Sequence, residues 1–202
     1  MSLQLNQLSE QALELIKLPG NLVIKKVVIG VLYTGIELKD GTVGVSFTLT
    51  DRSMDHEGYH SLVKDGLPSE KRIYELIEYC SSPYSILRSI GVAALNTYSQ
   101  TYIDFSEASY LDILGILESS SDNVVGMVGN IHPISRHLAK EGKIVKILDK
   151  FMPPTYIKNT TQVDKVSDLE VVDSILVSGS ALVFDNFDEI IHYYNIFLGK
   201  KS

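Results

Sequence analysis

The chain has 202 residues, of which 45% are hydrophobic and 21% charged, as is usual for a globular protein of one large or two small domains. Its 18 Lys and Arg against 25 Asp and Glu give a net charge of −7, which argues against a nucleic-acid partner because phosphate-backbone binding depends on clustered cations. The single cysteine excludes an internal disulfide. Together with the lack of a signal-peptide pattern or a long uncharged apolar stretch, this predicts a cytoplasmic protein without a membrane partner.

The first half of the chain predicts an antiparallel sheet between helices. Apolar residues at helical spacing over 8–16 predict a first helix, which Pro19-Gly20 ends. The runs 23–29, 36–38 and 43–49 then read as three strands, and Asp40-Gly41 predicts a type I′ turn between the last two.

Helices follow this sheet. An apolar face over 73–80 predicts one helix, and Ser82-Pro83 supplies an N-cap and a first-turn proline for the next. That next helix, from 84 to about 98, is apolar on nearly every side, so we expect it to be buried.

The second half alternates strands with helices. A helix is predicted near 111–117, followed by a strand at Val124-Val125, a helix over 133–140 and a strand over 143–148. A third strand over 172–177 precedes a helix over 188–194. This alternation favours parallel crossovers, and so an α/β protein with a boundary between residues 1–103 and 104–202.

The first candidate site is the Gly-rich turn of Gly126, Gly129 and Asn130. Since it follows a strand and precedes a helix, its amides are expected to favour an anion. Asp149 ends the next strand, where a dinucleotide- or adenosyl-binding fold places an acid for ribose hydroxyls. The glycine spacing is G-x-x-G rather than G-x-G-x-x-G, so a plain tight turn is the alternative interpretation.

The second candidate site is Ser178-Gly179-Ser180, after the third parallel strand. Open α/β sheets bind ligands at the carboxyl edge, so this segment should lie beside the Gly-rich turn. An ordinary strand-to-helix turn with a serine cap would have the same sequence.

A literal H-E-x-x-H motif spans His56 to His60, a spacing that places two histidines on one face of a helix. The preceding residues lack an apolar stripe, and Gly58 disfavours a helix by roughly 1 kcal/mol. We therefore interpret the segment as a solvated loop, with His56 and His60 as weak metal-ligand candidates. His132, just before Pro133, is a third candidate, close to the Gly-rich turn. Tyr33 and Thr34, between Gly30 and Gly35, are typical of a bulge or a close backbone approach.

Five motifs in order resemble a family of unknown function described as "putative heavy-metal chelation" proteins. They are Val31 to Ile36, Asp40 to Val45, Ile90 to Asn96, Val125 to Gly129 with Pro133, and Val177 to Val183. The resemblance implies an enolase-N-terminal-like domain over 1–103, a Rossmann-like domain over 104–202, and a ligand cleft between them. It also implies that this cleft is faced by Tyr33, Thr34, Asn96, Gly129, Asn130 and Ser178 to Ser180.

The sequence departs from the family pattern in three places. Asp149 stands where the family is expected to have glutamate, and Ser178-Gly179-Ser180-Ala181-Leu182 stands for Thr-Gly-Thr-Thr-Leu. The chain also ends where relatives are expected to continue through further strands. A shortened sheet of this kind would expose an edge strand, so homodimerisation through that edge is a further hypothesis.

Our principal hypothesis is binding of a metal chelate, a divalent metal or an anionic small molecule, since no complete catalytic constellation is recognisable. An enzyme that uses a nicotinamide or adenosyl cofactor through the Gly126–Gly129 loop and Asp149 is one alternative. A non-catalytic interaction module is another.

Overall fold

The computed structural model describes residues 3–15, 22–49, 55–64, 68, 71–102, 113–119, 121, 123–149, 156–183 and 187–193. The chain divides into two compact units. Residues 1–105 and 182–188 form the first unit, and residues 106–181 and 189–202 form the second. The protein is a mixed α/β structure, as predicted, with an antiparallel sheet near its N-terminus and a parallel sheet in its C-terminal part.

The first unit contains the predicted first helix, three strands and later helices, together with one helix that was not predicted. Helix α1 (Leu3–Leu15) precedes strands β1 (Ile24–Ile29), β2 (Tyr33–Leu38) and β3 (Val43–Phe47), which pair antiparallel in the order β1-β2-β3. Helices α2 (Asp55–Lys64), α3 (Ile73–Ile77) and α4 (Ser85–Gln100) follow, and a 3₁₀ turn (Glu78–Ser81) extends α3. The three-stranded meander is therefore confirmed, whereas the predicted stop at Pro19-Gly20 lies outside the described residues.

The hairpin between β2 and β3 differs from the predicted type I′ turn. Only Gly41 has a positive φ, of 92°, and its N–H donates to the carbonyl of Leu38 at 3.1 Å. The Asp40 side chain accepts from the N–H of Thr42 at 2.9 Å, which lowers the pKa of that carboxyl. Leu38 N–H also donates to Thr42 C=O, so the loop has three residues and ends in a bulge with glycine at the left-handed position.

Helix α4 is the centre of the first unit, as its apolar sequence predicts. Thirteen of its 16 residues are buried. Gly44 of β3 allows the backbone at Thr97 to approach, and Gly91 allows α4 to approach the backbone at Cys80. The helix begins later than predicted: Tyr84 is its N-cap, and Ser82 instead accepts the N–H of Tyr84 through its hydroxyl at 3.1 Å.

Helix α2 corrects the prediction of a solvated loop around the H-E-x-x-H motif. Gly58 is buried, and a Cβ built there would lie 2.8 Å from Cγ2 of Ile86 and 3.0 Å from Cβ of Tyr84. Leu62, one turn later, is also buried. The glycine is therefore explained by close packing, which compensates for its low helix propensity.

The second unit contains α5 (Ile113–Ser119), β4 (Val124–Val128), α6 (His132–Lys140), β5 (Ile144–Leu148), β6 (Thr160–Val163) and β7 (Ser174–Val177). The four strands are parallel, in the order β6-β5-β4-β7. Strand β6 was not predicted. A further helical segment covers 187–193. Among the described residues, none of the helices is both long and apolar enough to cross a membrane.

Candidate functional site

The order of the parallel strands defines one special position at their carboxyl edge. From β4 the chain passes to β5 and then to β6 on one side, and β7 returns to the other side of β4. The ends of β4 and β7 therefore flank the topological switch point, which is where open α/β sheets bind ligands.

At this switch point Gly129 and Ser178 approach each other closely. Gly129 has φ +77°, and a Cβ built on it would lie 2.9 Å from Cβ of Ser178. Its N–H donates to Leu148 C=O at 2.9 Å, and Ser178 N–H donates to Val128 C=O at 2.9 Å. Both the backbone conformation and the available space therefore require glycine at 129.

Two serine hydroxyls lie together after β7. The Oγ atoms of Ser178 and Ser180 are 2.9 Å apart, and both side chains are half-buried. Ala181 N–H donates to Ser178 C=O at 2.9 Å, which closes a 3₁₀ turn, and Gly179 is exposed within it. A Cβ at Gly129 would be 3.5 Å from either Oγ. The hydroxyl pair therefore lies directly beside the turn after β4.

The turn after β4 is bonded to the end of β5. Asn130 N–H donates to Oδ2 of Asp149 at 2.8 Å, and Gln162 Nε2 donates to the carbonyl of Asp149 at 2.8 Å. The Asn130 side chain accepts from the hydroxyl of Ser135 in α6 at 3.0 Å. The backbone N–H groups of Gly129 and Asn130, expected to face an anion, are therefore both bonded within the protein.

Gly126 does not belong to this turn. It lies inside β4 and is buried, and a Cβ there would be 3.1 Å from Cγ2 of Val172 and 3.3 Å from Cγ1 of Ile175. Its small size therefore serves packing beneath the sheet. The prediction that it supplies a ligand-facing amide is corrected by its position in the strand.

The remaining predicted residues, Tyr33, Thr34 and Asn96, belong to the first unit. Tyr33 is 62% exposed and contacts Phe47 edge-on. Thr34 is fully buried, and its hydroxyl is bonded to that of Thr48 at 2.8 Å, so its role is structural there. Asn96 donates through Nδ2 to the carbonyl of Val45 at 2.8 Å, which ties α4 to β3.

Three histidines were metal-ligand candidates. His132 is exposed at the start of α6. His56 and His60 are exposed on α2, with ring centroids 4.5 Å apart. No group of three or more His, Cys, Asp or Glu side chains suited to a metal occurs within the described ranges.

Two family models, both described as putative heavy-metal chelation, match the chain. DUF4213 matches residues 10–99 and DUF364 matches residues 112–195. An uncharacterised protein of Methanocaldococcus jannaschii is 26% identical over 153 residues, which are 74% of this chain and 56% of that protein. The chain thus spans little more than half the length of this curated relative.

Two crystal structures of proteins of unknown function from the DUF364 family resemble the chain. The protein from Pyrococcus horikoshii is 25% identical with a TM-score of 0.69, and the match covers 94% of this chain and 74% of that one. The protein from Desulfitobacterium hafniense has the same coverage, 13% identity and a TM-score of 0.64, so it supports the fold alone.

Proposed function

We propose that this chain, which belongs to the DUF4213 and DUF364 family of unknown function described as putative heavy-metal chelation, binds a metal chelate or another oxygen-rich anionic molecule. The observation that carries the proposal is the meeting of Gly129 with the Ser178–Ser180 hydroxyl pair at the switch point of the parallel sheet. The site would lie at the carboxyl ends of β4 and β7.

The hydroxyl pair suits a ligand that accepts hydrogen bonds. Each serine hydroxyl has one proton to donate. Since Ser178 and Ser180 are bonded to each other, one proton is used within the pair and the other is left for an acceptor. A carboxylate or phosphate oxygen is the acceptor that makes such a bond strongest.

The same residue types disfavour direct binding of a bare heavy metal at this edge. Soft metals prefer thiolates, and zinc, copper and nickel prefer imidazoles. Ser178, Ser180, Asn130 and Asp149 offer hydroxyl, amide and carboxylate groups. We therefore infer that a metal would arrive within a chelate, which the protein would recognise through the oxygens of the chelator.

The test is calorimetric titration of the tag-free His56→Gln chain, which lacks the exposed histidine pair of α2, with nitrilotriacetate, its nickel complex, citrate and inorganic phosphate. Ser178→Ala together with Ser180→Ala should weaken binding by about tenfold or more, since the hydrogen bond to the charged group can come from either hydroxyl. Ser167→Ala, in the 3₁₀ turn Val166–Leu169 of the same unit, is the matched control. Equal affinities with and without the two serine substitutions would contradict the proposal, as would the absence of binding across the whole panel.

A cofactor-dependent enzyme is the second candidate, and the position of Asp149 favours it. The residue directly follows β5 beside the switch point, where a carboxylate would reach ribose hydroxyls. Its Oδ2 already accepts from Asn130, so a ribose would have to use the other oxygen or displace that bond. Titration of wild type and Asp149→Asn with NAD and S-adenosylmethionine distinguishes the two candidate functions. Cofactor binding by the wild type that is lost in Asp149→Asn would favour the enzyme.

Roles of Tyr33 and Asn96 in ligand binding, homodimerisation, and a non-catalytic interaction module stay predictions. Light scattering at high protein concentration tests the dimer. A chain that shows no binding in either titration would favour the interaction module.

A further inference from the structure

The two histidines of the H-E-x-x-H motif lie far in sequence from the switch point, on a helix of the first unit. His56 and His60 are both exposed on α2, and their ring centroids are 4.5 Å apart with an interplanar angle of 66°. From the geometry of this pair we infer that α2 carries a second, independent site, which chelates one borderline transition-metal ion such as Zn²⁺, Ni²⁺ or Cu²⁺.

The helix itself fixes the histidines on an outward face. Residues four apart are separated by about 40° around a helix axis, so His56 and His60 share one face. Gly58 and Leu62 are buried on the inward face. Since Gly58 is two residues from each histidine, or about 160° around the axis, the imidazoles point away from the core.

The ring spacing suits a shared ion. A tetrahedral ion with Zn–N distances of about 2.0–2.1 Å holds two nitrogens roughly 3.3 Å apart. In such a complex each ring centre lies about 3.2 Å from the ion, so the two ring centres are roughly 5 Å apart. The 4.5 Å between the ring centres of His56 and His60 therefore has to widen by only about 0.5 Å. The close contact of Gly58 with Ile86 and Tyr84 holds the helix against α4, so the backbone positions of both ligands are set before the metal binds.

Glu57, the middle residue of the motif, is directed elsewhere. Its carboxylate accepts a hydrogen bond from the hydroxyl of Tyr84 at 3.0 Å, and this bond raises the pKa of Tyr84. A general base would have to lie beside metal-bound water. The motif therefore supplies two ligands without the acid–base partner of a metalloprotease, and the remaining coordination positions stay open to water or to a small chelator.

The experiment is calorimetric titration of a tag-free, metal-stripped chain with ZnCl₂, NiCl₂ and CuCl₂, with MgCl₂ as the hard-ion comparison. We expect one ion per chain, and no response to Mg²⁺ because imidazole suits zinc, copper and nickel. His56→Gln or His60→Gln should each weaken binding by at least about tenfold, since the second ligand acts at high effective concentration only when both are present.

Two controls separate chelation from the number of imidazoles. His192→Gln removes an exposed histidine elsewhere and should change nothing. Lys64→His combined with His60→Gln keeps the histidine count but places the pair eight residues apart, about 12 Å along the helix, so binding should stay weak. Wild-type affinity in His60→Gln or in the spaced variant would overturn the inference, as would a wild type that binds none of the three ions.

The inference does not depend on the proposed function. Ser178→Ala lies in the other unit and should leave Zn²⁺ binding at α2 unchanged. Loss of Zn²⁺ binding in Ser178→Ala, with His56→Gln unaffected, would assign the ion to the switch point and refute a site on α2.

Discussion

Replacement of Gly129 by alanine tests how closely the turns after β4 and β7 approach each other. The left-handed φ of +77° costs an alanine about 1–2 kcal/mol. The new Cβ would lie 2.9 Å from Cβ of Ser178, whereas ordinary contacts begin at 3.4 Å, so the two turns must separate by about 0.5 Å. Overpacking of this kind costs about 1–3 kcal/mol. The expected loss in the free energy of unfolding is therefore about 2–5 kcal/mol.

Two other glycines of the same unit separate these contributions. Gly142 has φ +88° but no atom within 4 Å of an added Cβ, so Gly142→Ala should cost only the conformational part, about 1–2 kcal/mol. Gly179 has neither constraint, and its replacement by alanine should be neutral or stabilise by less than about 1 kcal/mol. The predicted order of destabilisation is Gly129, then Gly142, then Gly179.

Urea denaturation followed by circular dichroism gives the ranking, and hydrogen exchange of β4 and β7 shows whether the loss is local. The exchange measurement matters because a chain of two units need not unfold in one step. Ser178→Gly in the Gly129→Ala background should recover part of the loss, since it removes the contacting Cβ. Equal losses in the free energy of unfolding for Gly129→Ala and Gly142→Ala would refute the close approach of the turns after β4 and β7.

Three further predictions concern the first unit. Gly91→Ala should lower the free energy of unfolding by about 3 kcal/mol or more, because its Cβ would collide with the backbone at Cys80; equal denaturation midpoints would contradict this. Arg88 is buried and donates to Val183 C=O at 3.3 Å and to Pro83 C=O at 3.1 Å. Arg88→Met should therefore lower the free energy of unfolding by about 2–4 kcal/mol and make the chain at Val183 more susceptible to limited proteolysis. Burial raises the pKa of Cys80 from 9.0 to about 12, so the native thiol should resist alkylation at pH 8. Between pH 9.0 and about 12 the Cys80 thiol is protonated in the folded chain and ionised in the unfolded chain. The free energy of unfolding should therefore fall as the pH rises, by up to about 1.4 kcal/mol per pH unit. Cys80→Ala should lack this part of the pH dependence.

The elements with regular apolar spacing were predictable from the sequence. The alternation over 36–38 reflects burial on one face and the apolar run of α4 reflects burial on nearly every side, and both were confirmed. Strand β3 was confirmed as a strand, but Val43 and Val45 are exposed and its buried face carries Gly44 and Ser46. Strand β6 was missed because an edge strand with the sequence Thr-Thr-Gln-Val has little buried surface to signal its presence. Its start depends on Asn159, whose φ of +65° sets the turn before it.

The errors have a common origin in tertiary packing. Gly58 looked like a helix breaker because nothing in the local sequence identifies the contact with Tyr84 and Ile86 that requires it. Gly126 looked like part of a ligand loop, yet its neighbours Val172 and Ile175 lie almost 50 residues away. A glycine signals a need for space or for positive φ, and only the fold decides which of these applies.

The candidate site was predictable in outline but not in its bonding. Because open α/β sheets bind ligands at their carboxyl edge, the sequence predicted that Gly129 and Ser178 lie in one region. In the structure a Cβ on Gly129 would lie 2.9 Å from Cβ of Ser178, so the two residues do lie together. The bond between Asn130 and Asp149 could not be inferred, because the sequence does not indicate that the carboxylate turns towards the neighbouring amide.

The first unit consists of two separate stretches of the chain, residues 1–105 and 182–188, and this affects when it can fold during synthesis. Val183 is buried in the hydrophobic core formed by the N-terminal residues. A ribosome that adds about 5–20 residues per second needs roughly 4–16 s to travel from residue 105 to residue 183. During that interval the nascent N-terminal core lacks one of its own parts, and because the second unit includes residues 189–202, neither unit has all of its residues until synthesis is almost finished.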